Sequence, residues 1–150
     1  MKVTIRNVLS LAVAFCILSA ITVAFARSSP TLDAYSAGCS AEDGGVIAIW
    51  ADVEGRNPRM DKIGTDTIYL YESIDNKTFY CVKIFEADDY PNMMTTNAIS
   101  YYKTAVTYQG IVGRYYSACV YCYAEKNGVS DSKPLSLIHI SEPTRLGMIS

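Results

Sequence analysis

Residues 114–125 read Arg-Tyr-Tyr-Ser-Ala-Cys-Val-Tyr-Cys-Tyr-Ala-Glu, and this stretch decides the fold. Successive side chains of a β-strand point to opposite faces of the sheet. The even-numbered positions carry side chains that suit a protein core: Tyr116, Ala118, Val120 and Cys122. The odd-numbered positions form the opposite face: Tyr115, Ser117, Cys119, Tyr121 and Tyr123. The stretch therefore predicts a long strand with one buried side.

Several shorter runs with β-type composition surround this strand. Runs rich in β-branched and aromatic residues predict further strands at 46–53, 67–73, 79–85 and 104–108, and residues 32–40 are a candidate first strand. Turn-forming residues separate them at 41–45, 75–77, 109–113 and 127–128. Residues 55–66, with Pro58 and Gly64, predict a loop, and residues 86–103 predict a polar connection interrupted by Pro91. Six or seven short strands at this spacing favour an all-β antiparallel sandwich, with Trp50, Ile68 and Leu70 in its core.

Three segments resemble parts of fibronectin type III-like domains. Residues 113–124, followed by Asn127-Gly128, are similar to the penultimate strand and final turn of that family, and Tyr116 matches its corner tyrosine. Residues 46–50 resemble the second strand, which ends in a core tryptophan, and residues 68–76 resemble the central strand and its hairpin. The resemblance implies a fibronectin type III-like or immunoglobulin-like sandwich of about seven strands. The chain also resembles small exported single-domain proteins of Gram-positive gut bacteria.

The first 26 residues have the pattern of a secretory signal peptide, which we expect to be helical. Lys2 and Arg6 precede a run of apolar and small residues over 8–23, and Ala24-Phe25-Ala26 provides small residues for a cleavage site. The apolar run is shorter than the roughly 20 residues of a membrane-spanning helix. An uncleaved N-terminal anchor is the alternative. Either way we expect a secreted or cell-surface protein, which contacts the membrane only through this segment during export.

The last 16 residues have a different origin from the rest of the chain in our interpretation. Residues 135–145 read LSLIHISEPTR, which resembles the in-frame translation of a sequencing adapter. A genuine amphipathic tail is the alternative. On the adapter interpretation the natural domain covers residues 27–134, its last strand is truncated, and residues 135–150 are a non-native tail.

The domain of residues 27–134 is mildly acidic. Lys2, Arg6 and Arg145 lie outside it, which leaves 10 of the 13 basic residues, and Glu142 lies outside it, which leaves 14 of the 15 acidic residues. The resulting net charge is −4, without a basic stripe. Nucleic acid is excluded as an expected partner, because Lys and Arg contacts to phosphates supply most of that affinity.

The domain contains all 12 tyrosines of the chain. Alternation along residues 67–73 and 114–125 places four of them on the face opposite the core: Tyr69, Tyr71, Tyr121 and Tyr123. We call this set the tyrosine face. Tyrosine buries a large area and keeps a polar hydroxyl, so such a face can contact glycans or proteins. Cross-strand aromatic pairing that only stabilises the sheet is the alternative.

Four cysteines remain after removal of the signal peptide, and we treat them as candidate disulfide residues: Cys39, Cys81, Cys119 and Cys122. Three pairings are possible, and free thiols are a further alternative. Cys119 and Cys122 cannot pair with each other in a strand, because residues three apart lie roughly 10 Å apart on opposite faces. This geometry disfavours thioredoxin-like chemistry, and paired zinc ligands usually come from a tight turn.

Catalytic residues are scarce in the domain. The single histidine, His139, lies in the tail, so residues 27–134 cannot assemble a Ser-His-Asp or Cys-His site. Glu86, Asp88 and Asp89 predict a solvated loop, with a glycosidase pair or weak calcium binding as alternatives. We therefore expect no enzyme activity, no cofactor and no metal.

These observations lead to one expected function and one alternative. The expected function is an exported, non-catalytic module for cell-surface adhesion or for recognition of a cell-surface glycan or protein. The alternative is an accessory or carbohydrate-binding module of a secreted enzyme whose catalytic part is missing from this fragment.

Overall fold

The computed structural model describes residues 29–140, so the predicted signal peptide and residues 141–150 lie outside the described part. This part folds into antiparallel strands joined by short turns and two 3-10 helices. The strands are β1 (Leu32–Ala41), β2 (Val46–Gly55), β3 (Met60–Ser73), β4 (Tyr80–Glu86), β5 (Met94–Ala98), β6 (Ser100–Gln109), β7 (Tyr115–Lys126) and β8 (Val129–Ile140). The 3-10 helices span Asp43–Gly45 and Pro91–Met93. The predicted all-β, antiparallel class is confirmed.

The strands form two sheets. The smaller sheet has the order β1-β2-β6, and the larger sheet has the order β4-β3-β7-β8, with β5 paired to the start of β3. The β7–β8 hairpin turns at Asn127-Gly128, where both residues have positive φ values of 51° and 76°. Two consecutive positive φ values match the twist of a two-residue hairpin, which explains why Asn-Gly predicted this turn correctly.

One hydrophobic core lies between the two sheets, which gives a sandwich-like arrangement. Strand β2 contributes alternate residues from Ile47 to Val53, and β3 contributes Ile68 and Leu70. Strand β7 contributes the whole predicted core face of Tyr116, Ala118, Val120 and Cys122, each with no exposed surface. The Thr31 hydroxyl also donates a hydrogen bond to the Ala124 carbonyl oxygen at 2.9 Å, which ties the start of the described chain to β7.

Strand β3 begins much earlier than the sequence predicts. The predicted loop at 55–66 is wrong beyond residue 59, because β3 starts at Met60 and pairs with β5 and β7 on its two sides. Gly64 lies inside this strand with a φ of 154°. A Cβ at this position would lie 2.2 Å from the carbonyl oxygen of Met93. Gly64 is therefore required by close approach of two backbone segments, and not by a loop.

The predicted connection at 86–103 also contains regular structure. It includes the 3-10 helix Pro91–Met93, all of β5 and the first residues of β6. The five residues of β5 are Met-Thr-Thr-Asn-Ala, so they lack the apolar alternation that marks a half-buried strand. These residues form a strand because they pair with β3.

Trp50 does not occupy the core, and this prediction is wrong. Ile49 and Ala51 are fully buried on either side of it, so strand alternation turns Trp50 to the outer face of the smaller sheet. There the indole lies across Gly38 of β1, where a Cβ would come within 2.2 Å of its ring.

Strand β8 continues past the predicted domain end. It pairs with β7 from Val129 to Ile140, so residue 134 lies inside the strand. The adapter origin of residues 135–150 stays a prediction.

Candidate functional site

The two central strands of the larger sheet hold the tyrosine face. Ile68 and Leu70 of β3 and Val120 and Cys122 of β7 point into the core. The alternate positions therefore point outward on neighbouring strands, and they carry Tyr69, Tyr71, Tyr121 and Tyr123, each of which is half-buried. The structure thus places the four tyrosines on one face, with Tyr71 and Tyr123 at its two ends.

Two of the tyrosines, Tyr69 and Tyr121, pack against each other across the strands. The rings of Tyr69 and Tyr121 lie 5.9 Å apart between centroids, with an interplanar angle of 64°. This edge-to-face geometry is favourable for aromatic rings. It also holds both rings in place before any partner arrives, which lowers the entropic cost of binding.

Two hydroxyl groups of the tyrosine face, those of Tyr71 and Tyr123, lie in a partly desolvated environment. Burial, together with the nearby Cys81 and Cys119, raises the pKa of Tyr71. Burial also raises the pKa of Tyr123, whose hydroxyl donates a 2.5 Å hydrogen bond to the Glu125 carboxylate. Tyr71 and Tyr123 therefore stay protonated at neutral pH and act as neutral hydrogen-bonding groups.

The tyrosine face extends towards the edge strand β4. Ile84 lies directly opposite Tyr69 in the β3–β4 register, and 48% of its surface is exposed. On the other side, Ser117 and Ser132 have buried hydroxyl groups that lack a hydrogen-bond partner among the described residues. The face is thus a mixed apolar and aromatic surface with few charges, which resembles the centre of a protein interface more than its rim.

A second aromatic group lies on the outer face of the smaller sheet. The rings of Trp50 on β2 and Tyr102 on β6 are 6.4 Å apart with an interplanar angle of 63°. Tyr102 is 75% exposed. Sequence reasoning missed this pair because it placed Trp50 in the core, whereas the alternation of Ile47, Ile49 and Ala51 was the signal that places Trp50 on the outer face.

A groove lies at the turn end of the β3–β4 hairpin, and the sequence did not indicate it. It has a volume of about 440 Å³ and is lined by Glu72, Ser73, Ile74, Asp75, Thr78, Tyr80 and Arg114. Arg114 forms a salt bridge with Glu72 at its floor. The Asp75 carboxylate accepts backbone hydrogen bonds from Lys77 and Thr78 at 2.9 Å, which orders the turn. The charged groups of the groove are therefore already paired within the protein.

The four candidate disulfide cysteines lie on three strands, β1, β4 and β7. Cys119 and Cys122 point to opposite sides of β7, as the sequence predicted. Cys81 is exposed on β4, and Cys39 on β1 packs against the core. Cys81, Cys119 and Cys122 are free thiols. Burial raises the pKa values of Cys39 and Cys122 to about 12, so neither thiol is activated as a nucleophile.

The acidic residues of the predicted loop do not converge. Glu86 ends β4, and Asp88 and Asp89 lie in the exposed turn that follows it. Among residues 29–140, no three His, Cys, Asp or Glu side chains form a group that could hold a metal ion. His139 lies opposite Ser117 in the β7–β8 pairing.

The described part of the chain contains no helix with the length and apolar character needed to cross a membrane.

No known protein family model matches the chain, and neither a curated protein nor a solved structure shows significant similarity to it.

Proposed function

We propose that this chain is an exported, non-catalytic recognition module that makes its contacts through the tyrosine face. The observation that carries the proposal is the outer surface of the larger sheet, where Tyr69, Tyr71, Tyr121 and Tyr123 are half-buried and Tyr69 and Tyr121 are in contact. Aromatic residues with a polar handle are enriched where proteins bind partners, because they combine large contact area with few rotatable bonds.

A fibronectin type III-like or immunoglobulin-like identity for the fold is supported by the strand order. In immunoglobulin-type sandwiches, the first, second and fifth main strands share one sheet, while the third, sixth and seventh share the other. If β5 is counted as an addition and β4 as the extra strand beside the third, the orders β1-β2-β6 and β4-β3-β7-β8 agree with this plan.

The corner tyrosine gives further support. Tyr116 lies at the start of β7, and its hydroxyl accepts a 2.8 Å hydrogen bond from the backbone N–H of Ile111, five residues upstream. A tyrosine at this place that bonds to the preceding loop is a hallmark of such sandwiches. Trp50 departs from the family pattern, since it lies outside the core.

Export is supported by the N-terminal sequence, and a binding role by the lack of catalytic groups. Residues 1–26 combine basic residues, an apolar run and an Ala-Phe-Ala cleavage site. Residues 27–134 contain no histidine, and burial keeps Cys122 protonated. The N-terminal pattern supports a secreted or cell-surface location. The lack of catalytic groups supports recognition rather than catalysis.

We favour a protein partner for the tyrosine face. The face is largely aromatic and adjoins the exposed Ile84, and the neighbouring Glu125 carboxylate already accepts a hydrogen bond from Tyr123. A cell-surface glycan is the competing partner class, and the following experiment distinguishes the two.

The proposal is tested by adhesion of protein-coated beads to an epithelial cell layer. We expect Tyr69→Ala/Tyr121→Ala to lower bead retention about tenfold or more, since aromatic contacts at an interface centre contribute most of the affinity. Tyr80→Ala is the matched control, because Tyr80 is 69% exposed and lies outside the face. Protease treatment of the cells should abolish retention, whereas periodate oxidation of their glycans should not. Wild-type retention by the double variant would contradict the proposal.

The alternative function, an accessory or carbohydrate-binding module of a secreted enzyme, is favoured by a different observation. Trp50 and Tyr102 form an aromatic pair on the outer face of the smaller sheet, beside the carboxylate of Asp52.

A further inference from the structure

Trp50, the single tryptophan of the chain, lies at the surface, and the neighbouring strand β1 leaves room for its ring. Gly38 of β1 lies directly opposite Trp50 in the register, and the indole occupies the space that a side chain at residue 38 would need. Gly38 is itself buried, whereas Trp50 stays partly exposed. A large apolar ring is thus fixed across two strands while part of it faces solvent.

Tyr102 enlarges this aromatic surface on the other side of β2. Its ring meets the indole edge-to-face, and three quarters of the residue is exposed. The two rings together form an exposed aromatic patch, which points to binding more than a single exposed apolar residue does.

Polar groups lie immediately beside the two rings. Asp52 is two residues from Trp50 on the same face, and it is the register partner of both Ser36 on β1 and Tyr102 on β6. Within residues 29–140, the Asp52 carboxylate forms no side-chain hydrogen bond or salt bridge. It is therefore available as an acceptor beside the aromatic surface.

The shape of this surface limits the size and shape of the ligand that it can bind. A hollow that shares Asp52 with this surface, and is also lined by Ala34, Tyr35, Ser36 and Glu54, has a volume of about 120 Å³. Pockets that enclose drug-sized molecules have volumes of about 300–1,000 Å³. The site is therefore an open platform with a shallow polar hollow, and it suits a ligand that lies across the sheet.

We propose that Trp50, Tyr102 and Asp52 form a binding site for an extended, neutral, β-linked glycan chain. The flat C–H faces of equatorially substituted sugar rings can stack on the indole and phenol rings. Sugar hydroxyls can donate to the Asp52 carboxylate, and hydrogen bonds to a charged acceptor are stronger than neutral ones. The nearby Glu54 adds negative charge, which disfavours acidic sugars.

This inference deepens the alternative function, because it gives a carbohydrate-binding module its ligand class. The platform lies on the opposite sheet from the tyrosine face, so variants of one surface leave the other intact.

The fluorescence of Trp50 provides the first test, because the chain has no other tryptophan. We expect titration of the full chain with cellohexaose and with xylohexaose to shift and saturate the emission as a sugar ring covers the indole. Maltohexaose, with α-linkages that curve the chain, and a polygalacturonic acid oligomer, which is acidic, should leave the emission unchanged. An equal response to maltohexaose or to the acidic oligomer would overturn the proposal. It would also be overturned if neither β-linked hexaose changed the emission.

Affinity electrophoresis in gels that contain hydroxyethyl cellulose provides the second test. We expect Trp50→Ala to lose about tenfold or more in affinity and Asp52→Asn to lose several-fold, because a charged acceptor becomes neutral. Trp50→Phe should keep part of the affinity. Far-UV circular dichroism of each variant checks that a loss of affinity does not come from a loss of folding. Tyr121→Ala is the control on the other sheet and should be retarded like the wild type. Unchanged retardation of Trp50→Ala, or loss in Tyr121→Ala alone, would overturn the site.

Discussion

Tyr116 links the core to a polar cluster at one end of the larger sheet. Its ring is fully buried, while its hydroxyl accepts a hydrogen bond from the Ile111 backbone and donates one to the Glu72 carboxylate at 2.6 Å. Arg114 forms a salt bridge with the same carboxylate. One tyrosine therefore holds the loop before β7 against the end of β3.

We predict that Tyr116→Phe lowers the free energy of unfolding by about 1–3 kcal/mol. The substitution keeps the buried ring but leaves the Ile111 N–H and one carboxylate oxygen of Glu72 without their partner. Urea denaturation followed by circular dichroism measures the change. Tyr80→Phe is the matched control, since its hydroxyl lies on a 69% exposed residue, and it should change stability by less than about 0.5 kcal/mol. Equal effects of the two substitutions would contradict this role for Tyr116.

The same cluster predicts how stability depends on pH. Burial acts to raise the pKa of Glu72, but the hydrogen bonds from Tyr116 and Arg114 outweigh it and hold this pKa below its ordinary value. A carboxylate with a lowered pKa stabilises the fold above the pKa of the unfolded chain, and this contribution is lost as the pH falls through the folded pKa. We therefore expect the free energy of unfolding to decrease as the pH falls from about 5 to about 3.

Glu72→Gln tests this assignment. The variant should be less stable at neutral pH and should show a shallower loss of stability on acidification, measured by urea denaturation at each pH. Some loss should remain, because the pKa values of Asp61, Asp75 and Asp131 are also lowered. Glu42→Gln, at an exposed position, should keep the wild-type slope. A wild-type slope in Glu72→Gln would show that Glu72 does not titrate as we describe.

At the scale of elements, the strands with clear alternation are predictable from sequence. Residues 46–53 and 114–125 alternate buried and outward side chains along nearly their whole length, and β2 and β7 form there. The first part of β3 escapes prediction because Asp61, Lys62 and Gly64 look like loop residues. Its strand structure depends on pairing with β5 and β7, which local sequence does not encode.

Gly64 gives a direct test of this part of β3. We predict that Gly64→Ala lowers the free energy of unfolding by about 3 kcal/mol, because the new Cβ would meet the backbone oxygen of Met93, which cannot rotate away. Gly113→Ala is the matched control. Gly113 also has a positive φ, of 89°, but nothing lies within 4 Å of an added Cβ, so only the conformational cost of about 1–2 kcal/mol applies. Denaturation midpoints compare the two, and equal destabilisation would contradict the close approach of β3 to Met93.

The candidate sites, like the strands, are predictable where they depend on alternation within one strand and not where they depend on pairing between strands. Alternation predicts that Tyr69, Tyr71, Tyr121 and Tyr123 face outward, and because β3 and β7 pair with each other, the structure places them on one surface, where Tyr69 contacts Tyr121. The position of Trp50 is also encoded by alternation, but the resemblance to a family with a core tryptophan pointed the other way. Its contact with Gly38 required the β1–β2 register, which the sequence does not specify.

At the scale of the whole molecule, the two sheets carry different outer surfaces. The larger sheet presents tyrosines with few charges, whereas the smaller sheet presents an aromatic pair beside carboxylates. Because a core of buried side chains separates them, each surface can be changed without altering the other. On the two proposals above, one domain would bind a surface partner and a glycan through opposite sheets.

The central claim, that the tyrosine face is the main contact surface, is tested most directly by bead retention on epithelial cells. Wild-type protein, Tyr69→Ala/Tyr121→Ala and Trp50→Ala are compared on the same cell layer at equal coating density. We predict that the double tyrosine variant loses about tenfold or more of the retention, while Trp50→Ala keeps most of it. Undiminished retention of the double tyrosine variant would contradict the claim.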